Sequence, residues 1–123
     1  MSHNIDVYSP GADITANATA DVTAKRFVRI TGNRVDSNIA VAHAAAAGRV
    51  FGVAKHDATS GDLVGLARGN ARIVKVTAGA AISAFAEVEV GADGKAITLA
   101  AGKAVGFAVT AAASGADAQI SLY

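Results

Sequence analysis

Histidine, the side chain most often used for proton transfer and metal binding near neutral pH, occurs at three positions, His3, His43 and His56. No two of them have the close spacing of a metal site, and the chain has no cysteine to complete a zinc site. His43 alternates with apolar neighbours in a β-like run, and His56 stands beside Asp57 at the end of another. We therefore expect both to be structural strand residues, and we predict no metal and no other cofactor.

Two serines and two glutamates are the remaining candidates for catalysis. The Gly-x-Ser-x-Gly turn that presents many serine nucleophiles is absent. Ser60-Gly61-Asp62 and Ser114-Gly115-Ala116-Asp117 instead indicate β-turns, because these residue types tolerate turn dihedrals. Glu87 and Glu89 lie on one face of a predicted strand, a spacing that suits acid–base chemistry only if a cleft separates their pKa values. A solvated charged face is the simpler prediction, and we expect no enzyme.

Phosphate, nucleic-acid and membrane signals are also missing. The glycines match neither the P-loop nor the dinucleotide pattern, and the bases between Lys25 and Lys75 lack interleaved aromatic residues that would stack on nucleotides. The longest uncharged stretch, residues 104–116, is shorter than the roughly 20 residues that cross a bilayer. The N-terminus does not resemble a secretory signal. We expect no specific nucleic-acid partner, no membrane span and no secretion.

Short β-branched runs bounded by Gly, Asn, Asp and Ser recur along the chain, which is typical of an all-β fold, a small compact β-barrel or β-sandwich. The apolar fraction is 52% but the aromatic fraction only 5%, so the core must consist mainly of Ala and Val. Such a core stabilises little per residue, and oligomerisation or docking on a partner would add to it. The predicted strands are Arg26–Thr31, Ile39–His43, Arg49–Lys55, Leu63–Ala67, Arg72–Thr77, Glu87–Val90, Lys95–Leu99, Ala104–Thr110 and Ala118–Leu122.

Two local features qualify this pattern. The Asp-Gly pair within Gly91–Lys95 predicts a hairpin turn, because both residues readily take the positive φ values that tight turns require. The alanine run Ala42–Ala47 is a competing helical candidate, since alanine has the highest helix propensity. The run is short and ends at Gly48, so a brief helix and a loop both remain open.

An internal repeat is visible when the two halves of the chain are aligned. At a constant offset of 54 positions, Gly48, Gly52, Ser60 and Gly61 recur as Gly102, Gly106, Ser114 and Gly115. Upstream, an offset of 58 aligns Phe27 with Phe85 and Ile39 with Ile97. We predict an internal duplication of one β-unit, and the alternative is coincidence in a sequence rich in Gly and Ala.

The first twenty residues differ from the rest, with Pro10-Gly11 and small side chains but few large apolar groups. We predict an extended N-terminal arm over residues 1–20 and a β-rich domain over residues 21–123. The alternative is a loose tail followed by an ordinary first strand. An extended arm can dock on a partner by adding a strand to an exposed sheet edge.

Charge is distributed unevenly along the chain. Residues 1–24 carry three acids and no base, residues 25–75 nine bases and three acids, and residues 76–123 two bases and four acids. A positive middle between acidic ends can steer docking onto a larger surface. Scattered solvated charges that contribute little are the alternative.

Four strings, together with the N-terminal arm and the ending Ile120–Tyr123, carry a family likeness. They are Arg26–Ile30, Asn38–Ala44, Gly48–Ala54 and Phe85–Ala96. In these strings the chain resembles the head decoration (capsid cement) proteins of tailed bacteriophages. The resemblance covers nearly the whole chain, and its motifs are patterns of Gly, Ala and Val rather than chemical signatures.

The resemblance implies a capsid decoration protein that binds the outer surface of the assembled head, commonly as a homotrimer, and stabilises it without catalysis. Its partner would be the major capsid protein, and its place the virion after synthesis in the host cytoplasm. We expect the apolar groups of the arm, Ile5, Val7, Tyr8 and Pro10, to contact the capsid or a neighbouring subunit. A small adhesion or carbohydrate-binding module is the alternative, although such sites use exposed Trp and Tyr and the chain has no Trp.

Overall fold

The computed structural model describes residue 5 and residues 7–123, and in this part of the chain nearly all regular structure is β. The first five strands are β1 (Ile14–Ala18), β2 (Phe27–Ile30), β3 (Ile39–His43), β4 (Gly52–Ala54) and β5 (Leu63–Ala67). The next five are β6 (Ile73–Thr77), β7 (Glu87–Val90), β8 (Ala96–Thr98), β9 (Gly106–Ala108) and β10 (Asp117–Leu122). A short 3-10 turn, Ala92–Gly94, joins β7 to β8.

Strands β1 to β5, which we call the first unit, form a closed barrel in the order β1-β3-β2-β4-β5. Neighbouring strands are antiparallel except for β1 and β3, which run parallel. The barrel closes where β1 pairs with β5, from Ile14 opposite Leu66 to Asn17 opposite Leu63. Closure satisfies the backbone groups that an open sheet edge would expose.

Strands β6 to β10, the second unit, repeat this arrangement in the order β6-β10-β9-β7-β8. Each of its four ladders has an antiparallel counterpart in the first unit. At the place of the parallel β1–β3 ladder, a single parallel bridge joins Ala78 to Ala96. The two units therefore share one strand topology, which confirms the predicted duplication.

The predicted alignment upstream of the repeated glycines is wrong. Lys25, and not Phe27, corresponds to Phe85: both have positive φ, 62° and 66°, and their N–H groups donate to the carbonyls of Ala54 and Ala108 respectively. Phe27 is buried, whereas Phe85 is 78% exposed. The offset is therefore 60 positions here, and the shared residue type was a coincidence.

The alignment of Ile39 with Ile97 fails for a similar reason. Val41 and Ala96 hold equivalent places. Val41 pairs with the last residue of β2 and lies parallel to Ala18 at the end of β1. Ala96 likewise pairs with the last residue of β7 and forms a parallel bridge to Ala78, just after β6. The connection before this strand is shorter in the second unit. A change of loop length costs little free energy, so it leaves strand order intact while shifting the sequence register.

All nine strands predicted after residue 20 are present. Three have the predicted bounds, β3, β5 and β7, and the others begin or end within three residues of them. The turn predicted at Gly91–Lys95 is also confirmed, with φ of 56° at Asp93 and 72° at Gly94. The run Ala42–Ala47 contains the end of β3 and a loop, and no helix.

Strand β1 lies inside the segment for which the sequence predicted an extended arm. It occupies the barrel between β3 and β5, with Ile14, Ala16 and Ala18 buried. The barrel therefore begins at Ile14, and the part of the chain that lies outside it is shorter than residues 1–20. Small side chains make Ile14–Ala18 a weak strand signal, but they suit a position in the middle of a narrow barrel.

The buried apolar side chains form two clusters, and one of them joins the units. The cluster inside the first barrel contains Ala16, Ala18, Val22, Val28, Val41, Ala54, Val64 and Leu66. The other cluster, within the second unit, also includes Phe27, Ala44 and Val53 from the first. Phe27 is the one aromatic ring among the largest fully buried side chains. The core is thus built mainly from Ala and Val, as the composition predicts.

Hydrogen bonds reinforce the junction between the units. The N–H of Thr77 donates to the carbonyl of Lys25, and the N–H of Ala47 to that of Val90, both at 2.8 Å. The ammonium group of Lys25 also pairs with Asp117 at 2.8 Å. The two units are therefore held by apolar packing and by backbone bonds together.

Candidate docking surface

The two described histidines are used by the fold. The Nε2 atom of His43 accepts the N–H of Thr23 at 2.9 Å, and burial lowers the pKa of this imidazole. The Nε2 atom of His56 accepts the N–H of Gly65 at 3.0 Å. His3 lies outside the described residues. These bonds satisfy the backbone donors of a loop residue, Thr23, and of a residue in β5, Gly65, so both imidazoles have the structural role that the sequence predicted.

The two glutamates of β7 do not form one solvated face. Glu87 is exposed and accepts the hydroxyl of Tyr123 at 2.6 Å. Glu89 is only 4% exposed: its Oε1 accepts the N–H of Ala100, and Oε2 has no protein partner. The prediction was wrong for Glu89 because the loop after β8, with Gly102 against the carboxylate, covers it. The pair is split between two environments and forms no shared cleft.

The two Ser-Gly segments are turns, as predicted. Gly61 and Gly115 have positive φ, 94° and 83°, and their N–H groups donate to the carbonyls of Ala18 and Ala78. Within residue 5 and residues 7–123, no group of three or more His, Cys, Asp and Glu side chains is arranged to hold a metal ion. Over the same residues, no helix has the length and apolar character needed to cross a membrane.

The apolar side chains of the N-terminal segment point into solvent. Ile5 is 85% exposed, Val7 75% and Tyr8 42%, and Pro10 is exposed as well. The hydroxyl of Tyr8 accepts from the guanidinium of Arg34 at 3.5 Å. These four side chains are therefore exposed, and from here on we call the described segment before Asp13, residue 5 and residues 7–12, the arm.

The arm leaves the barrel at a fixed point. The carboxylate of Asp13 forms ion pairs with Lys55 and with Arg72, the latter at 2.8 Å, and Arg72 also donates to the carbonyl of Gly11 at 3.3 Å. Hydrogen bonds from Lys55 and then from Arg72 lower the pKa of Asp13. The segment before β1 is thereby held beside the connection from β5 to β6, where Gly69 approaches Gly11.

A groove with only basic charged side chains opens at the same end of the first unit. Two adjoining hollows of about 410 and 560 Å³ share Arg49, Arg68 and Lys103, and one of them adds Arg29. No acidic residue lines either hollow. All four bases are exposed, and among the described residues none of them forms an ion pair. We call these four side chains and the space between them the basic groove.

Arg68 is held rigidly within the basic groove. Its Nε donates to the carbonyl of Phe51 at 2.9 Å, and its guanidinium lies over the Phe51 ring, 4.3 Å from the ring centre. The hydrogen bond and the cation–π contact restrict the side chain, and its terminal nitrogens donate to no group in the described part of the chain. Arg68 is therefore ready to donate to an anionic group without losing much side-chain freedom.

The opposite end of the same strands is acidic. Asp21, Asp57 and Asp62 line a shallow groove where β2 and β5 begin and β4 ends, whereas the basic groove lies where β2 and β5 end and β4 begins. Two of these aspartates also bond to turns: Asp21 accepts the N–H of Ser60, and Asp57 that of Ala24. The first unit is therefore polarised along its strands.

Three of the six aromatic residues form a surface patch on the second unit, which we call the aromatic patch. Phe85 packs edge-on against Phe107 with ring centres 5.3 Å apart, and Tyr123 lies 6.1 Å from Phe107. Phe85 and Tyr123 remain 78% and 53% exposed. The sequence did not predict the aromatic patch, because strand pairing between β7, β9 and β10 brings together residues that are far apart in the chain.

The basic groove was only partly foreseen. The excess of bases over residues 25–75 indicated a positive region, but it did not separate the paired bases from the unpaired ones. Lys25, Lys55 and Arg72 lie in the same stretch and form ion pairs. The contrast between the basic and the acidic end of the first unit depends on the direction in which each strand runs. A count of charges along the sequence does not reveal that direction.

Comparison with known proteins identifies a family and a structural relative. A family model described as phage cement protein matches residues 8–122. The head fiber gp8.5 N base of bacteriophage phi29 is similar in structure, with a TM-score of 0.79 and 26% identity over 91% of this chain and 93% of that chain. No curated protein matches the chain. Since the family model spans both units, the chain belongs to the phage cement protein family and is a structural, head-associated component of a phage virion.

Proposed function

We propose that the chain is a capsid decoration protein that binds the outer surface of the assembled head, contacts the major capsid protein and stabilises the shell. The observation that carries this proposal is the arm, whose apolar side chains stay exposed although Asp13 fixes the point where the arm leaves the barrel. Exposed apolar groups close to a held point of the barrel favour contact with a partner surface. In this proposal the chain is made in the host cytoplasm and has no catalytic role.

Stabilisation would follow from mass action. A ligand that binds the assembled lattice but not the free subunits shifts the equilibrium toward the lattice. If one decoration protein touches more than one capsid subunit, each later contact forms at a high effective concentration, so weak contacts add up to firm attachment. A thin core built from Ala and Val is compatible with this role, because attachment also stabilises the bound domain.

Deletion of residues 2–12 tests the proposal. The deletion leaves Asp13 and all of β1 in place, so we expect a folded protein with the circular dichroism spectrum of the full chain. Co-sedimentation with heads that lack the protein should show full decoration by the intact chain and little or none by the deletion variant. A matched variant keeps the length of the arm and replaces Ile5, Val7 and Tyr8 by Ser.

The two variants separate apolar contact from chain length. Loss of head binding in both supports contact through the apolar side chains. Undiminished head binding by the deletion variant would contradict the role of the arm, and absence of binding by the intact chain would contradict the function itself. Cross-linking on decorated heads should yield a product with the major capsid protein.

We also propose that the protein forms a homotrimer. The aromatic patch supports contact between copies, because clustered exposed aromatic side chains are enriched in protein interfaces. Light scattering should give the mass of three chains, and Phe85→Asp should shift it toward the mass of one. A monomer both in solution and on heads would contradict this proposal.

A small adhesion or carbohydrate-binding module is the second candidate. The aromatic patch is the observation in its favour, since sugar sites stack their ligands on exposed aromatic rings. The planes of Phe85 and Phe107 are at 84° to each other, so the two rings do not form one continuous flat platform, which favours the first proposal. Binding on a glycan array that is lost in Phe85→Asp would support the second candidate.

A further inference from the structure

The duplication supplies an internal control for the charges of the first unit. At the positions equivalent to Asp21, Asp57 and Asp62, the second unit has Ala81, Ala111 and Ala116. These correspondences follow from the strand pairing that the units share. The second unit builds the same strand order without those acids, so the fold does not require them.

The same comparison applies to the basic groove. Arg29 corresponds to Glu89 and Arg68 to Leu122, both of which are buried in the second unit. Of these three positions in the first unit, only that of Arg49 has a base in the second unit, namely Lys103. Lys103 itself lines the basic groove. Folding therefore does not explain why bases that form no ion pair within the described ranges are concentrated at one end of the first unit.

We propose that the basic groove is a binding site for an extended acidic peptide segment, with Arg68 as the residue that anchors a carboxylate. The guanidinium of Arg68 is held by Phe51, and since its terminal nitrogens have no hydrogen-bond partner among the described residues, they can bind a carboxylate in bidentate fashion. Arg29, Arg49 and Lys103 surround it with positive charge, and no acid among residue 5 and residues 7–123 lines the groove or pairs with these bases. This identification rests on the proposed function: the segment belongs to the capsid protein of the head surface.

Shape argues against a second copy of this chain as the occupant. The acidic groove of Asp21, Asp57 and Asp62 has the complementary charge, but it is itself concave. Two concave surfaces leave a gap when they meet, whereas an extended segment that protrudes from a partner can enter the groove. Shape complementarity therefore favours a peptide.

Charge and aromatic geometry argue against nucleic acid. The net charge of the chain is only +1, and the acidic end of the same unit would repel a phosphate backbone that extends past the groove. The ring of Phe51 is covered by Arg68, so it is not free to stack on a base. The groove thus offers charge over a short length, which suits a few carboxylates.

The test measures binding of a synthetic peptide of alternating Asp and Ser to the full chain by isothermal titration at low salt. A peptide with Lys in place of Asp and a single-stranded DNA oligonucleotide of equal length are the comparison ligands. We expect binding of the acidic peptide alone, weakened by added salt. Arg68→Gln should lower the affinity at least about tenfold, because truncating one partner of a well-formed charge pair commonly has such an effect.

Two further variants separate binding from folding. Arg49→Glu combined with Lys103→Glu changes exposed side chains that form no ion pair among the described residues, so the fold should persist while peptide binding is lost. Lys75→Glu is the matched control, since Lys75 is exposed on β6 and does not line the groove. It should leave the affinity within about twofold.

Four outcomes would overturn the inference. These are no binding of the acidic peptide, equal affinity in the double variant and the unaltered chain, tighter binding of DNA than of the peptide, and self-association that the double variant abolishes. If the double variant decorates heads as fully as the unaltered chain, the groove does not contact the head, and the proposed function is not contradicted. Failure of the unaltered chain to bind heads, with peptide binding intact, would contradict the proposed function and not the groove.

Discussion

At the scale of single residues, His43 links the fold to pH. Its Nε2 accepts the N–H of Thr23, which only an unprotonated nitrogen can do, and burial lowers its pKa below the ordinary value. The unfolded chain therefore binds a proton at this site more readily than the folded chain does, so protonation favours unfolding. The stabilisation is complete above the pKa of an unfolded histidine, about 6.5, and is lost as the pH falls through the lower folded value.

We accordingly expect the free energy of unfolding to decrease as the pH is lowered from about 7 to about 5, and to decrease less in His43→Gln. Urea unfolding at a series of pH values measures both slopes. Asp13 contributes in a separate window: its folded pKa is lowered, so its stabilisation is present above about pH 4 and is lost below it. Equal slopes in the two proteins between pH 7 and 5 would contradict the role of His43.

Gly102 shows how closely the loop after β8 packs on Glu89. A Cβ at Gly102 would overlap the Glu89 carboxylate and lie 2.9 Å from the Cα of Ala47, at the junction of the two units. We expect Gly102→Ala to lower the free energy of unfolding by about 1–3 kcal/mol, as overpacking of a filled site does. Gly32→Ala is the control, because a Cβ there meets nothing within 4 Å, and it should change stability little.

At the scale of elements, the β7–β8 turn belongs to the interface between the units. A Cβ at Gly94 would lie 2.6 Å from the carbonyl oxygen of Phe27 in β2, and Gly94 has a φ of +72°. Gly94→Ala should therefore add a steric clash to backbone strain. Gly115→Ala carries similar strain, with a φ of +83°, but its Cβ meets nothing within 4 Å. We expect Gly115→Ala to cost about 1 kcal/mol and Gly94→Ala clearly more, as thermal unfolding would show.

Element by element, the sequence predicted strands well where Val, Ile or Leu recur at short spacing, as in β3, β5 and β7. It predicted an extended arm where β1 lies and left an ordinary first strand only as the alternative, because Ala16, Asn17 and Ala18 carry little apolar area. These small residues fit a narrow space that only the closed barrel defines. The repeat was found through turn glycines, since turn geometry fixes residue type. The wrong offset at Phe27 arose because ring burial depends on tertiary packing.

The candidate site was less predictable than the fold. The arm residues stood out because they are the largest apolar groups before β1, and the basic groove was visible only as an excess of charge. Which bases are unpaired, and that Phe85, Phe107 and Tyr123 meet, depends on pairing between strands distant in sequence. Such contacts are set by topology, which local patterns do not specify.

At the scale of the whole molecule, the shared cluster makes the two units energetically dependent on each other. Phe27 belongs to β2 of the first barrel but packs with the core of the second unit, alongside Val76 and Ile120. In the second unit a single bridge stands where a β1–β3 ladder closes the first barrel. The stability of the second unit therefore depends more strongly on the packing of Phe27 against its core. The units should therefore unfold together.

Truncation of one core residue in each environment tests this coupling. Leu66→Ala removes a side chain from inside the first barrel and Phe27→Ala removes one from the junction. Each should lower the free energy of unfolding by about 2–5 kcal/mol, and each should give a single transition in denaturant. Native-state hydrogen exchange should then show protection falling by the same amount in β5 and in β10 for both variants. If Leu66→Ala lowers protection in β5 and leaves β10 unchanged, the units unfold independently, and the cluster around Phe27 is a contact between separate domains rather than one core.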